Sequence, residues 1–435
     1  MIIETPRRLW RHFLSDNLFR NSVYLMLSTV VSGGLGFFFW MICTHIYSPG
    51  QIGVGTALIS AMSLISTIGL LGFNSTFVRV LPNSKNRNNE INTGSILVIG
   101  VSAILAAIYV LLIPFMAPSL SVVNQNFWYA AGFVIIVALA SINSLSDSVF
   151  IAYRSAQYAL ITDAFITSGA KLLLPLVFVA LGAYGVFFSA GLATSLGMIG
   201  SILYMMFIFG YKPELKIDMP TLRDVFRYSF TNYIANLLNM IPALVLPIIV
   251  LDHLGAPAAA YYYLAFMIIN LIYTVANSVA QSLFAEGSYN DQVLRNLFKR
   301  AAVILVTIMI PACVILASLG PLVLDFFGKT YSAGGSSVII LLAVFAPIVA
   351  AYYMGGVLLK ITKQIYSLMF VNLAYAFVVV GLTWLWVGKG LVWVAIAWTI
   401  GNLVAALLAF ILVVYHHRQH LSIEKLSNRP ELRTG

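Results

Sequence analysis

The sequence predicts an all-α polytopic membrane protein with twelve transmembrane helices. They fall into two parallel six-helix bundles related by a pseudo-two-fold axis along the membrane normal. Three observations carry this. The chain of 435 residues is 61% hydrophobic and only 9% charged, with mean hydropathy +0.95. A soluble domain carries about 25% charged residues, so this chain is not one that covers a water-facing surface. Apolar stretches of about 20 residues, each long enough to cross a hydrocarbon core of about 30 Å as a helix, recur along its length, and the shorter alternating segments of a β-barrel are absent. Finally, the chain repeats itself: Phe19-Arg20-Asn21-Ser22 returns as Phe226-Arg227-Tyr228-Ser229, and His45-Ile46-Tyr47-Ser48-Pro49 as His253-Leu254-Gly255-Ala256-Pro257. Two matches at nearly one offset, at both ends of the same kind of apolar span, indicate a duplication.

Taken in order, residues 1–21 form a basic amphipathic N-terminal segment, with Trp10, Phe13 and Leu14 on one face and Arg7, Arg8 and Arg11 beside them, suited to an anionic leaflet. The spans are expected at 22–46, 51–73, 93–117, 127–153, 157–181, 185–210, 229–251, 257–284, 298–320, 335–359, 365–388 and 391–415. This divides the chain into a first bundle (22–210), a linker (211–228), a second bundle (229–415) and a tail (416–435). The linker contains Pro213 and Pro220, then runs amphipathically through Leu222, Val225 and Phe226, and reads as an interfacial helix. Six spans per copy is an even number, so both copies start on one side, unlike inverted repeats of odd-numbered halves.

With the N-terminus cytoplasmic, interior segments hold all but three of the 24 Lys and Arg residues. Lys329 and Lys389 fall outside and Lys171 within a span. This bias places both termini in the cytoplasm. It also accounts for the net charge of +10 as topology charges near lipid phosphates, with no nucleic-acid partner implied. Cys43 and Cys313 lie inside spans, so no disulfide framework is expected. The first apolar span is too long for the core of a signal peptide. No nucleotide loop, metal-ligand cluster or catalytic triad stands out, so no catalytic residue, metal or cofactor is assigned. Asp252-His253 reads as a polar helix end.

Polar groups within spans mark helix contacts or a wet cavity. Asn232, Asn236 and Asn239 share one face of span seven, and Asn270, Asn277 and Gln281 lie with Tyr273 along span eight. Spans one and two carry the milder Tyr24, Ser28, Ser32, Ser63 and Ser66. Two readings stand: a cavity wall that binds substrate, or hydrogen-bond glue between helices. Pro242 and Pro247 interrupt span seven where Gly33, Gly34 and Gly36 weaken span one; they form a bending gate or a static kink. Asp147 and Asp163 lie near the inner ends of spans four and five, Lys171 about mid-bilayer, and Arg154 seven residues after Asp147. The matching positions of the second copy are Gly355, Val371 and Val379, so these charges are expected in the first bundle alone. Lys171 suits an anionic substrate group, and one Asp suits coupling to H+ or Na+. Alternatively, Asp147, Arg154, Asp163 and Lys171 form a closed structural network.

Across about residues 15–415 the sequence resembles the polysaccharide-transporter branch of the multidrug/oligosaccharidyl-lipid/polysaccharide (MOP) exporters, in particular the O-antigen (Wzx-type) flippases. The resemblance rests on twelve spans in two sixes, on the paired openings at Phe19 and Phe226, and on Phe327-Gly328-Lys329-Thr330-Tyr331. It implies a V-shaped pair of bundles that moves an undecaprenyl-pyrophosphate-linked oligosaccharide to the outer leaflet of a bacterial or archaeal inner membrane by alternating access. It also implies a part in surface polysaccharide or lipopolysaccharide biosynthesis beside other assembly proteins and membrane lipids. Lys171 fits the cationic cavities of that family. A MATE-like cation-coupled drug exporter is the alternative, although residues 22–46 lack the acidic residue many of those exporters use. A glycan polymerase or ligase ranks lower, because the longest outer segment, 321–334, holds only Asp325 and Lys329 as charges. Twelve spans also argue against the lipid II flippases, which usually have fourteen.

Overall fold

The computed structural model describes residues 17–217, 230–287 and 294–427. The amphipathic segment before Asn17 and the amphipathic part of the linker, Leu222 to Phe226, lie outside the described residues. Among those described, all regular structure is helical. The long helices of the first half are α1 (Asn17–Ile46), α2 (Pro49–Gly69), α4 (Arg87–Met116), α5 (Phe127–Ala152), α6 (Ala156–Val177) and α7 (Gly182–Phe209), with a short α3 (Phe73–Val80) between α2 and α4. The second half contributes α8 (Phe230–Leu254), α9 (Ala256–Gly287), α10 (Leu294–Asp325), α11 (Lys329–Val344), α12 (Ala346–Ile361), α13 (Ile365–Trp386) and α14 (Leu391–Ser427).

Among the described residues, eleven helices are long and apolar enough to cross a membrane by themselves, and α11 with α12, bent by 48° at Phe345, makes a twelfth as one broken span. The chain is thus a multi-pass membrane protein with the number of crossings expected. α1 runs unbroken through Gly33, Gly34 and Gly36, and α8 through Pro242 and Pro247. No neighbouring atom stands within 4 Å of where a Cβ would be on those three glycines, so close packing is not what requires them. The bend between α11 and α12 falls where Pro347 occupies the first turn of α12, a position that needs no N–H donor. Two further boundaries differ from expectation. α10 extends to Asp325 and α11 starts at Lys329, which reduces the expected outer segment 321–334 to a tight turn with Gly328 at φ +123°. α14 continues as helix to Ser427, through much of the expected tail.

The repeated ends, His45–Pro49 and His253–Pro257, become corners. α1 ends at Ile46 and α2 begins at Pro49, where Ser48 and Gln51 form a reciprocal cap: Gln51 N–H donates to Ser48 Oγ (3.3 Å), and Ser48 N–H to Gln51 Oε1 (3.0 Å). In the second copy Gly255, at φ +86°, turns α8 into α9.

The chain packs as two compact units. The first comprises Met1–Tyr233, Ala243–Tyr263 and Asp325–Tyr331; the second Ile234–Pro242, Leu264–Leu324 and Ser332–Gly435. In the first, Phe73, Phe77, Leu81, Val98, Val149, Phe150 and Met205 make a buried cluster that draws α3, α4, α5 and α7 together. Lipid offers no hydrophobic drive for helices to associate, so such packing and small residues do the work. Gly197 is an instance. A Cβ there would collide with Thr167 Oγ1 and lie 3.2 Å from the Thr162 carbonyl, so its absence lets α7 press against α6.

Candidate functional site

The second unit contains a polar cavity of about 200 Å³. Helical spacing brings Asn236 and Asn239 from α8 and Asn277 and Gln281 from α9 to its wall. α12 adds Tyr352, Tyr353 and Lys360, and α13 adds Asn372. A relay of hydrogen bonds fixes one side. Asn372 Nδ2 donates to the Ala235 carbonyl (2.7 Å), Tyr352 Oη donates to Asn372 Oδ1 (2.8 Å), and Asn239 Nδ2 donates to Tyr352 Oη (2.6 Å). Asn372 and Tyr352 are buried, so their polar atoms are committed to holding α8, α12 and α13 in register. Asn236, Asn277 and Gln281 remain exposed on the cavity wall. Each offers amide donors and acceptors, beside two phenol rings and one ammonium.

Four of the six expected Asn and Gln residues therefore converge. Asn270 does not line this cavity; it is exposed, and its carbonyl accepts from Thr274 Oγ1 (2.8 Å). Asn232 belongs to the first unit. Sequence reasoning missed Tyr352, Tyr353, Lys360 and Asn372. Asn372 is visible in the sequence as a lone amide in an apolar span. Lys360 falls one residue past the expected span ten, where it reads as a loop charge. α12 carries Lys360 to its last turn, half-buried at the cavity.

The first unit holds the carboxylates. α6 is not a simple helix, because Leu160–Thr167 is π-helical, an irregularity found often at functional sites. Asp163 sits in that segment. Its side chain accepts from Asn143 Nδ2 (3.3 Å), and its carbonyl accepts from Ser168 Oγ (2.8 Å). Asp147, one turn after Asn143 on α5, lies beside Asp163 and is half-buried, with its Oδ1 atom buried and in no hydrogen bond. Lys171 is half-buried on α6, within electrostatic range of Asp163. Arg154 stands apart. α5 ends at Ala152, and Arg154 occupies the following turn at φ +54°, exposed, so no continuous helix face carries it to Asp147.

Comparison with known proteins matches these features to a family. Residues 18–284, more than half of the chain, match the model of the family described as polysaccharide biosynthesis protein. No curated protein matches. Among solved structures, the chain is similar to the lipid II flippase MurJ in an inward closed conformation, with TM-score 0.72 and 16% identity over 90% of this chain and 87% of that one. It is similar to a MOP superfamily transporter from Pyrococcus furiosus, noted for a binding pocket of reverse polarity, with TM-score 0.61 and 15% identity over 92% and 95%. A multidrug resistance MATE transporter in an inward-facing conformation gives TM-score 0.62 and 16% identity over 94% and 96%. Such identities speak for the fold alone. With the family match they establish that this chain belongs to the polysaccharide biosynthesis protein family and has the fold of the MOP superfamily.

Proposed function

We propose that the protein is a flippase that moves a lipid-linked oligosaccharide, of the undecaprenyl-pyrophosphate type, from the cytoplasmic to the outer leaflet by alternating access. The observation that carries this is the amide-lined cavity with Lys360, set among apolar helices of the second unit. A glycan cannot cross hydrocarbon without replacements for its water hydrogen bonds. Asn236, Asn277 and Gln281 offer donors and acceptors to hydroxyls, Tyr352 and Tyr353 offer ring faces, and Lys360 offers a point charge to phosphate or an acidic sugar. Lys171 is the matching cation of the first unit. Transport, not bond cleavage, is the activity, and a bacterial or archaeal inner membrane with both termini cytoplasmic is the setting.

The test is surface glycan display in a strain whose own transporter is deleted. Lys360→Gln and Asn236→Leu/Asn277→Leu are expected to reduce display by roughly tenfold or more, the effect of losing one or two charge-assisted or amide contacts, at unchanged protein level. Lys171→Ala is expected to do the same. Full display by all three would sink the reading.

The Asp147–Asp163 pair favours a second reading, a cation-coupled multidrug exporter. In the first reading the same pair couples flipping to H+ or Na+. Drug resistance conferred by the chain, lost in Asp163→Asn and indifferent to Lys360→Gln, would favour the exporter.

A further inference from the structure

A second cavity, of about 670 Å³, opens in the first unit among the start of α4, the end of α5 and the chain leaving α7. That volume falls in the range of small-molecule sites, about 300–1,000 Å³. Its rim carries three cations, Lys85, Arg87 and Lys212. Val149, Met205 and Phe209 line its apolar part.

The rim is built in advance. Asn88 Nδ2 donates to the Lys212 carbonyl (3.3 Å), and Lys212 N–H donates to Asn88 Oδ1 (3.0 Å). Asn92 Nδ2 reaches the same carbonyl (3.1 Å), while Asn92 Oδ1 accepts from Tyr211 Oη (2.6 Å) and from Glu214 N–H (3.2 Å). Burial pushes the Tyr211 phenol upward, against a smaller opposing effect of Ser95, so it remains a donor at neutral pH. These five bonds pin the backbone that carries Lys212 and leave its ammonium uncommitted. Arg87 is held as well: Nη2 donates to the Pro82 carbonyl (2.9 Å), and the guanidinium lies 5.3 Å from the Tyr153 ring centroid. The guanidinium also hydrogen-bonds the Tyr153 side chain, and of its five N–H donors others remain. The nearby carboxylate, Glu90, accepts from Ser84 Oγ (2.8 Å). The ammonium groups of Lys85 and Lys212 are exposed. α4 starts here without a side-chain cap from Asn86, which adds the positive end of a helix dipole.

Fixed cations, a planar guanidinium on an aromatic ring and an apolar wall suit a phosphate that bears an organic group. We propose that this cavity is a binding site for a phosphate-bearing anion, separate from the amide-lined cavity. Two sources share that chemistry, the headgroup of an anionic phospholipid and a soluble phosphate ester.

The test uses the full chain in neutral detergent at low ionic strength. Thermal unfolding is followed against dihexanoylphosphatidylglycerol, dihexanoylphosphatidylcholine and inorganic phosphate. A bound ligand raises the unfolding temperature with saturation. Lys85→Gln/Lys212→Gln removes two uncommitted heads and leaves the backbone latch in place. Its unfolding temperature without ligand is expected to match that of the wild type, while the half-saturating concentration rises roughly tenfold. Arg87→Gln is expected to weaken binding likewise, and Lys389→Gln, distant in sequence and against Trp393, to leave it unchanged. Saturation by phosphatidylglycerol alone assigns the lipid headgroup, and saturation by inorganic phosphate assigns a soluble ester. An equal response to phosphatidylcholine, or equal half-saturation in the wild type, Lys85→Gln/Lys212→Gln and Arg87→Gln, overturns the proposal.

Discussion

Asn372 and Asn277 have the same side chain and opposite employment, and the difference is measurable. Asn372 spends its donor on the Ala235 carbonyl and its acceptor on Tyr352. Asn372→Leu leaves both partners unsatisfied and is expected to lower stability by about 1 kcal/mol, since interhelical hydrogen bonds in membranes average about 0.6 and reach about 1.7 kcal/mol. Asn277 is exposed on the cavity wall, so Asn277→Leu is expected to leave thermal unfolding unchanged and to lower transport. Equal unfolding temperatures for the two variants would refute this division. The carboxyl pair admits a similar contrast. Asp147→Asn removes a half-buried ionisable group, one of whose oxygens has no hydrogen bond, at no cost in volume, and its amide can still donate to Asp163, so unfolding in detergent is expected to be unchanged or raised. Asp163→Asn alters the acceptor used by Asn143 and is expected to lower stability.

At the level of the helix, the irregular segments could not be read from the sequence. Periodicity reports that a stretch is apolar and helical, but α and π turns share the same composition, and only the packing partner selects between them. Leu160–Thr167 is π-helical where α7 comes close enough for Gly197 to meet Thr167. Gly197→Val is therefore expected to force the two helices apart and to cost about 1–3 kcal/mol, read as a lowered unfolding temperature and reduced protein level. The break at Phe345 was legible in principle, since Ala346-Pro347 is a helix-opening dipeptide, yet Pro242 and Pro247 are the more conspicuous prolines because the duplication pairs them with glycines. The Asn faces of α8 and α9 were legible because helical spacing alone puts them on one side. Lys360 was not, because span boundaries read from hydropathy are uncertain by a turn, and a charge at such a boundary reads as a loop residue.

For the whole molecule, the number of crossings and the all-helical class followed from composition, because a chain so poor in charge has few ways to satisfy its backbone in lipid. The distribution of Lys and Arg predicts an orientation with both termini cytoplasmic. Both native cysteines, Cys43 and Cys313, are buried, so introduced cysteines should report with little background. In intact cells Lys389→Cys is expected to react with a membrane-impermeant maleimide, and Asn83→Cys only after lysis. The reverse pattern would invert the topology. A cavity lined by amides lies in one unit and a carboxyl pair in the other, a separation that helix counting does not show because it depends on which faces meet.

The latch on Lys212 bears on time as well as on shape. Asn88 and Asn92 grip backbone that lies 124 and 120 residues further along the chain. Every residue of that grip has been synthesised by Glu214, before any of α8 exists. The end of the sixth span can thus be moored to the start of the third while the rest of the chain is still being made, in keeping with domains that form in order of synthesis. The latch thus joins two parts of the first half of the chain and needs nothing from the second half to form.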